Sequence, residues 1–197
     1  SNFLFYNNFS IPNEAAERLN DSTFAESVYI TSFNKSVFLY SLMRARKFAE
    51  DHKHQLFWVH ASDTPPAWFA NGYTHTELEE LQKKWLHYHV KKTEGVLSIL
   101  PCCKNMPFKV THSHGHEFKA YGIHNGSECV LKAWTLDDGD QKQLSEKTEN
   151  EVILQSLPTK LYVQMTKPML KDYPGLPKGW FPMTPVTTYW TLDAEDN

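Results

Sequence analysis

Residues 95–134 read GVLSILPCCKNMPFKVTHSHGHEFKAYGIHNGSECVLKAW, and the order of apolar and polar runs in them decides the fold. An apolar run, Val96-Leu97-Ser98-Ile99-Leu100, is stopped by Pro101, which has no N–H to give a ladder. A second run spans Met106 to Val110 and a third Cys129 to Trp134, with a polar, glycine-spaced stretch between them. Alternation at period two on both sides of a glycine-containing turn is the pattern of paired strands. Asn125-Gly126 tolerates the positive φ that a tight reversal demands. The expectation is a β-ribbon whose loop is rich in histidine and lysine.

Working outward toward the N-terminus, a helix is expected from Lys35 to Asp51, because Phe38, Leu42, Ala45 and Ala49 recur at helical spacing. Val28 to Ser32 reads as a strand before it, and Asn13 is placed to cap a short helix through Leu19. Gln55 to Ala61 reads as a further strand, ended by Asp63-Thr64-Pro65-Pro66. Thr76-Glu77-Leu78-Glu79 has capping-box spacing and opens a helix with Leu78, Leu81, Trp85 and Tyr88 on one side. Glu79 with Lys83 and Glu80 with Lys84 are spaced to pair on the other. Toward the C-terminus, Asp137 to Asn150 reads as a solvated loop or short helix. Glu151 to Leu154, Lys160 to Met165 and Val186 to Leu192 read as strands. The late prolines, Pro168, Pro174, Pro177, Pro182 and Pro185, exclude long helices there.

Three parts follow: a weakly patterned segment 1–24, a mixed α/β region 25–135, and a small all-β region 136–197. A chain of 197 residues with 41% hydrophobic and 14% aromatic content has enough apolar surface to build a core. Its net charge of −3 argues against binding nucleic acid with the whole surface and leaves room for a local basic face. Three cysteines, two of them the vicinal Cys102-Cys103, make no spaced disulfide framework and fit a reducing, intracellular setting. No apolar run reaches the roughly 18 residues of a membrane span. The chain opens on Ser1 without a basic lead-in to Phe3-Leu4-Phe5, and so reads as a piece of a longer protein.

The leucine-proline pair, the strand, the polar loop and His124-Asn125-Gly126-Ser127 resemble part of the Pif-type, superfamily-one DNA helicases. Downstream, LPTKLYVQM (157–165) and GLPKGWFPMTPVTTYW (175–190) are similar to the same family, and the likeness runs from about Tyr29 to Leu192. The resemblance implies a partial RecA-like α/β region, from the second motor domain, followed by a small SH3-like β-barrel inserted in it. It implies single-stranded DNA as partner, the rest of a helicase chain beside it, and a nuclear location. ATP and Mg²⁺ are implied for the parent enzyme, with no cofactor in this piece.

The residue types narrow the site. Phe33-Asn34-Lys35-Ser36-Val37 is similar to the family's Thr-Asn-x-x-Val corner near the bound strand, with Phe33 in place of the threonine hydroxyl. Asn34 is also placed to act as a plain helix cap. Lysines at 83, 84, 91, 92, 104, 109 and 119 interleave with Trp85, His87, Tyr88 and His89, as a single-strand binder requires, although helical lysines commonly form only a solvated face. The candidate DNA-facing residues are Asn34, Lys35, Lys109, His112, Lys119 and Asn125, the last chiefly a turn residue. His112, His114 and His116 would share one face of a strand, the arrangement a metal-dependent enzyme would need, but Gly115 favours a loop. No GxxxxGK[ST] occurs, and Gly175 to Trp180 has no hydroxyl after its Lys-Gly, so nucleotide phosphates are not cradled by this piece. A stand-alone nucleic-acid or protein-binding β-module is the competing expectation.

Overall fold

The computed structural model describes residues 34–88, 93, 96–111, 116–146 and 149–191. The expected helix after Asn13, the strand at Val28–Ser32, and His112 and His114 lie outside them. The chain divides into two compact units, 1–48 and 49–197. In the first, helix α1 (Asn34–Asp51) begins, and its expected stripe is real: Leu42 and Ala45 are buried, and Ala49 follows one turn on.

The second unit is mixed α/β and holds two sheets. Strand β1 (Leu56–His60) lies between β2 (Ile99–Cys102), antiparallel to it, and β5 (Glu151–Ile153), parallel to it. The second sheet is antiparallel throughout, in the order β3 (Pro107–Lys109), β4 (Glu128–Thr135), β6 (Lys160–Met165) and β7 (Trp180–Met183). Its edges, β3 and β7, are not paired to each other, so among the described residues this sheet is open and no barrel closes. Both sheets draw strands from each side of residue 135.

Pro101 does not end a strand. It sits inside β2, opposite Trp58, because β2 is an edge paired on one side only, where a residue without an N–H is tolerated. The ribbon expected between the second and third apolar runs is present as β3 and β4, but its connection is not a simple loop. A short helix, α4 (His116–Ala120), stands between them, so His116 is helical and does not share a strand face with His112 and His114. Two further short helices, α2 (Ala67–Ala70) and α3 (His75–Trp85), follow β1, and α5 (Asp138–Glu146) follows β4.

The capping box opens α3 two residues earlier than expected. Thr74 Oγ1 accepts from the Glu77 N–H at 3.3 Å, and the Glu77 carboxylate accepts from the Thr74 N–H at 2.8 Å. Glu79 pairs with His75 at 3.3 Å, one turn back along the helix. The expected strand at Val186–Leu192 is absent over residues 184–191. Strand β7 forms instead at Trp180–Met183, inside the proline-framed tail.

The core lies between the sheets. Strand alternation sends Phe57 and Val59 from the first sheet, and Cys129, Leu131, Val163 and Phe181 from the second, into one buried cluster with Ile123, Leu144 and Val152. Trp134 meets Phe57 edge-on at 4.7 Å. Each such side chain contributes roughly 1.5–3 kcal/mol by leaving water.

Candidate nucleic-acid interface

Because Phe108, Cys129, Leu131, Val163 and Phe181 point into the core, their neighbours along each strand point out. Pairing in register makes a row Pro107–Val130–Gln164–Trp180 across the outer face of the second sheet. A register shift between Leu131 and Ala133 lets β4 present Ala133 and Thr135 outward again, opposite Tyr162 and Lys160. None of these outward residues is buried, and Lys109, Lys160 and Gln164 are exposed. Trp180 and Tyr162 occupy diagonal positions on β7 and β6, about 7–8 Å apart by strand geometry. Tyr162 is also held by the Thr135 hydroxyl at 3.4 Å. Trp180 and Phe181, neighbours in β7, therefore part: Phe181 is buried and Trp180 is on the outer face.

The candidate residues fall in different places. Lys109 ends β3, with its ammonium 3.4 Å from Glu128, and both side chains are more than half exposed. Such a pair is worth little in water and yields readily to a phosphate. The turn that holds Asn125 is tied to the residue after Lys109: the Gly126 N–H donates to the Val110 carbonyl at 2.7 Å, and the Val110 N–H to the Ser127 carbonyl at 2.9 Å. The His124–Ser127 turn is closed by the Ser127 N–H on the His124 carbonyl, with Gly126 at φ +84°. The family-like HNGS motif is therefore a turn that docks on the end of β3, and it brings Lys109 and Asn125 to one corner. Lys119 is exposed on α4, whose Phe118 packs on Phe181 at 5.1 Å. Asn34 and Lys35 open α1 with side chains outside the described part, and His112 lies outside it entirely. Lys160, Tyr162, Gln164 and Trp180 were not among the sequence candidates; the period-two alternation of Lys160–Met165 was the signal for the first three.

A second feature lies at the other end of the unit, where β1 and β2 meet the stretch after β7. A cleft of about 360 Å³ is lined by Val59, Leu100, Leu161 and Met183 at its apolar wall. Among the described residues Asp63 is its one ionisable lining residue. Oδ1 of Asp63 accepts from Trp190 Nε1 at 3.2 Å, and the Asp63 carbonyl accepts from Gln82 at 2.8 Å. Burial raises the carboxyl's pKa above its ordinary value, against the pull of the Trp190 bond. Burial lowers His60 at the end of β1, helped by the nearby His87. Trp190 is packed edge-on against Trp85 at 5.7 Å and Tyr88 at 5.8 Å, which is why the tail runs over α3 and forms no strand.

No protein family, curated protein or solved structure matches this chain. The reading of the site rests on its own geometry. Among the described residues no three His, Cys, Asp or Glu side chains gather as a metal would need, and no helix is long and apolar enough to cross a membrane. Cys102, Cys103 and Cys129 are buried free thiols; burial pushes Cys103 and Cys129 up to about 11 and Cys102 higher still, so none is poised as a nucleophile.

Proposed function

We propose that this chain is part of a Pif-type ATP-dependent DNA helicase and that its share of the work is to hold single-stranded DNA. The observation that carries the reading is the outer face of the second sheet. Two aromatic rings, Tyr162 and Trp180, stand diagonally with Gln164 between them, and the lysines Lys109 and Lys160 lie toward opposite ends. Bases stack on aromatic faces whatever their sequence, and lysines that flank such a platform pair with the phosphates. The HNGS turn and the strands LPTKLYVQM and GWFPM, which carry the family likeness, are the parts that build this sheet.

On this reading residues 25–135 come from the second RecA-like motor domain and residues 136–197 from its SH3-like insertion, each part contributing strands to both sheets. Lys109 and Asn125 at the docked corner and Lys119 on α4 extend the path of the strand within the 49–197 unit, while Asn34, Lys35 and His112 remain DNA-facing candidates on the sequence likeness alone. ATP and Mg²⁺ act elsewhere in the parent enzyme, where closing of the motor cleft steps the held strand, and a nuclear location follows from that activity. A P-loop encoded in the flanking reading frame is the expected companion.

Fluorescence anisotropy with labelled oligothymidylate across a salt series tests the platform. The logarithm of the binding constant should fall linearly with log salt, and Lys160→Gln should lower the slope by about 0.7, the share of one phosphate contact on a single strand. Trp180→Ala should weaken binding by about 1–3 kcal/mol while the circular dichroism spectrum stays folded. Salt-independent binding, or full affinity in the folded Trp180→Ala protein, would leave a protein-binding module as the better description.

A further inference from the structure

The cleft around Asp63 goes beyond that reading and does not depend on it. Among the described residues its lining combines an apolar wall with six hydroxyl residues, Ser62, Thr93, Ser98, Thr184, Thr187 and Thr188, and a single acid with no base. Asp63 Oδ1 is engaged by the Trp190 indole, whereas Oδ2 has no hydrogen-bond partner among the described residues. Partial burial takes away some of this carboxylate's hydration, and Oδ2 is the oxygen left open to a donor in the cleft. The volume falls within the range of small-molecule sites, which are mostly apolar with a few polar groups that fix orientation.

We propose that this cleft is a binding site for a small organic cation, an ammonium or amidinium on an apolar body, with its N–H groups on Asp63 Oδ2 and its body against Val59, Leu100, Leu161 and Met183. The charge restores what burial takes from the carboxylate, and the hydroxyls of Ser62 and Thr188 give the remaining N–H groups somewhere to donate. A phosphate or a carboxylate ligand is disfavoured, since no cation among the described residues lines the cleft.

Benzamidine and its neutral isostere benzamide are the probes, titrated calorimetrically into the intact chain. Benzamidine should bind roughly tenfold more tightly than benzamide, the difference between a charge-assisted and a neutral hydrogen bond. Asp63→Asn, which keeps the shape and removes the charge, should bring the two probes to equal affinity. A melting curve on the same sample checks that the variant is folded, and the comparison of probes on the unaltered chain stands whatever the variant does. Equal affinity of the two probes for the unaltered chain, no binding of either, or an undiminished preference in folded Asp63→Asn overturns the proposal.

Discussion

Asp140 is an acid that the sequence places in a solvated, acidic stretch, yet its residue is only 2% exposed. The reason is two backbone donors. The Gln155 N–H reaches its Oδ1 at 2.9 Å and the Ser156 N–H its Oδ2 at 3.0 Å, so one carboxylate satisfies two N–H groups just after β5. Asp137 in turn caps α5, accepting from the Asp140 N–H at 2.8 Å. Asp140→Ala should therefore cost about 2–4 kcal/mol, because it leaves two part-buried donors unanswered. Urea unfolding measures it: the midpoint should fall well below that of Asp138→Ala, whose side chain is exposed. A cost under about 0.5 kcal/mol, the usual limit of surface substitutions, would show that water replaces the carboxylate at no loss. No periodicity announces this role, since the bonds join residues 15 and 16 positions apart across a strand.

Among the elements, legibility follows how local the determinants are. Helix α1 and strand β6 were readable to within a residue, since a stripe at helical spacing and an alternation between turn signals are written in consecutive residues. The start of α3 was not, because two overlapping frames, Thr74 to Glu77 and Thr76 to Glu79, satisfy the same capping rule. The choice falls to the preceding turn: the Tyr73 N–H donates to the Ala70 carbonyl, and Thr74, at φ −71° and ψ 162°, leaves that turn extended. Thr74→Ala should cost about 1 kcal/mol and Thr76→Ala much less, read as helicity and as the midpoint of unfolding. Equal losses would put the helix start back at Thr76. Strand β7 was missed for a different reason. Alternation in WFPM is interrupted by a proline, and only pairing with β6 along an edge makes it a strand. The exposed residues of β6 are not legible from sequence either, since which face of that strand meets solvent depends on the other sheet covering Val163 and Phe181.

For the 49–197 unit as a whole, three ionisable groups near the end of β1, the part-buried His60 and Asp63 and the more exposed His87, shape its response to acid. His60 and His87 are held below the ordinary imidazole value near 6.5, first by burial and, for His60, then by His87. The unfolded chain therefore takes up these protons at higher pH than the folded one. Stability is complete above about 6.5 and falls as the pH drops toward the lowered folded values. Asp63 works the other way. Its folded carboxyl is raised by burial, so acid neutralises it in the folded state first and relieves a cost that is present at neutral pH. The melting temperature should decline between pH 7 and 5, with a gentler slope in His60→Gln, which removes one of the two imidazoles. Asp63→Asn should decline more steeply than the unaltered chain over the lower part of the range, having lost the relief. Parallel melting curves for all three proteins would mean that these groups are solvated well enough in the folded state to titrate as they do in the unfolded one.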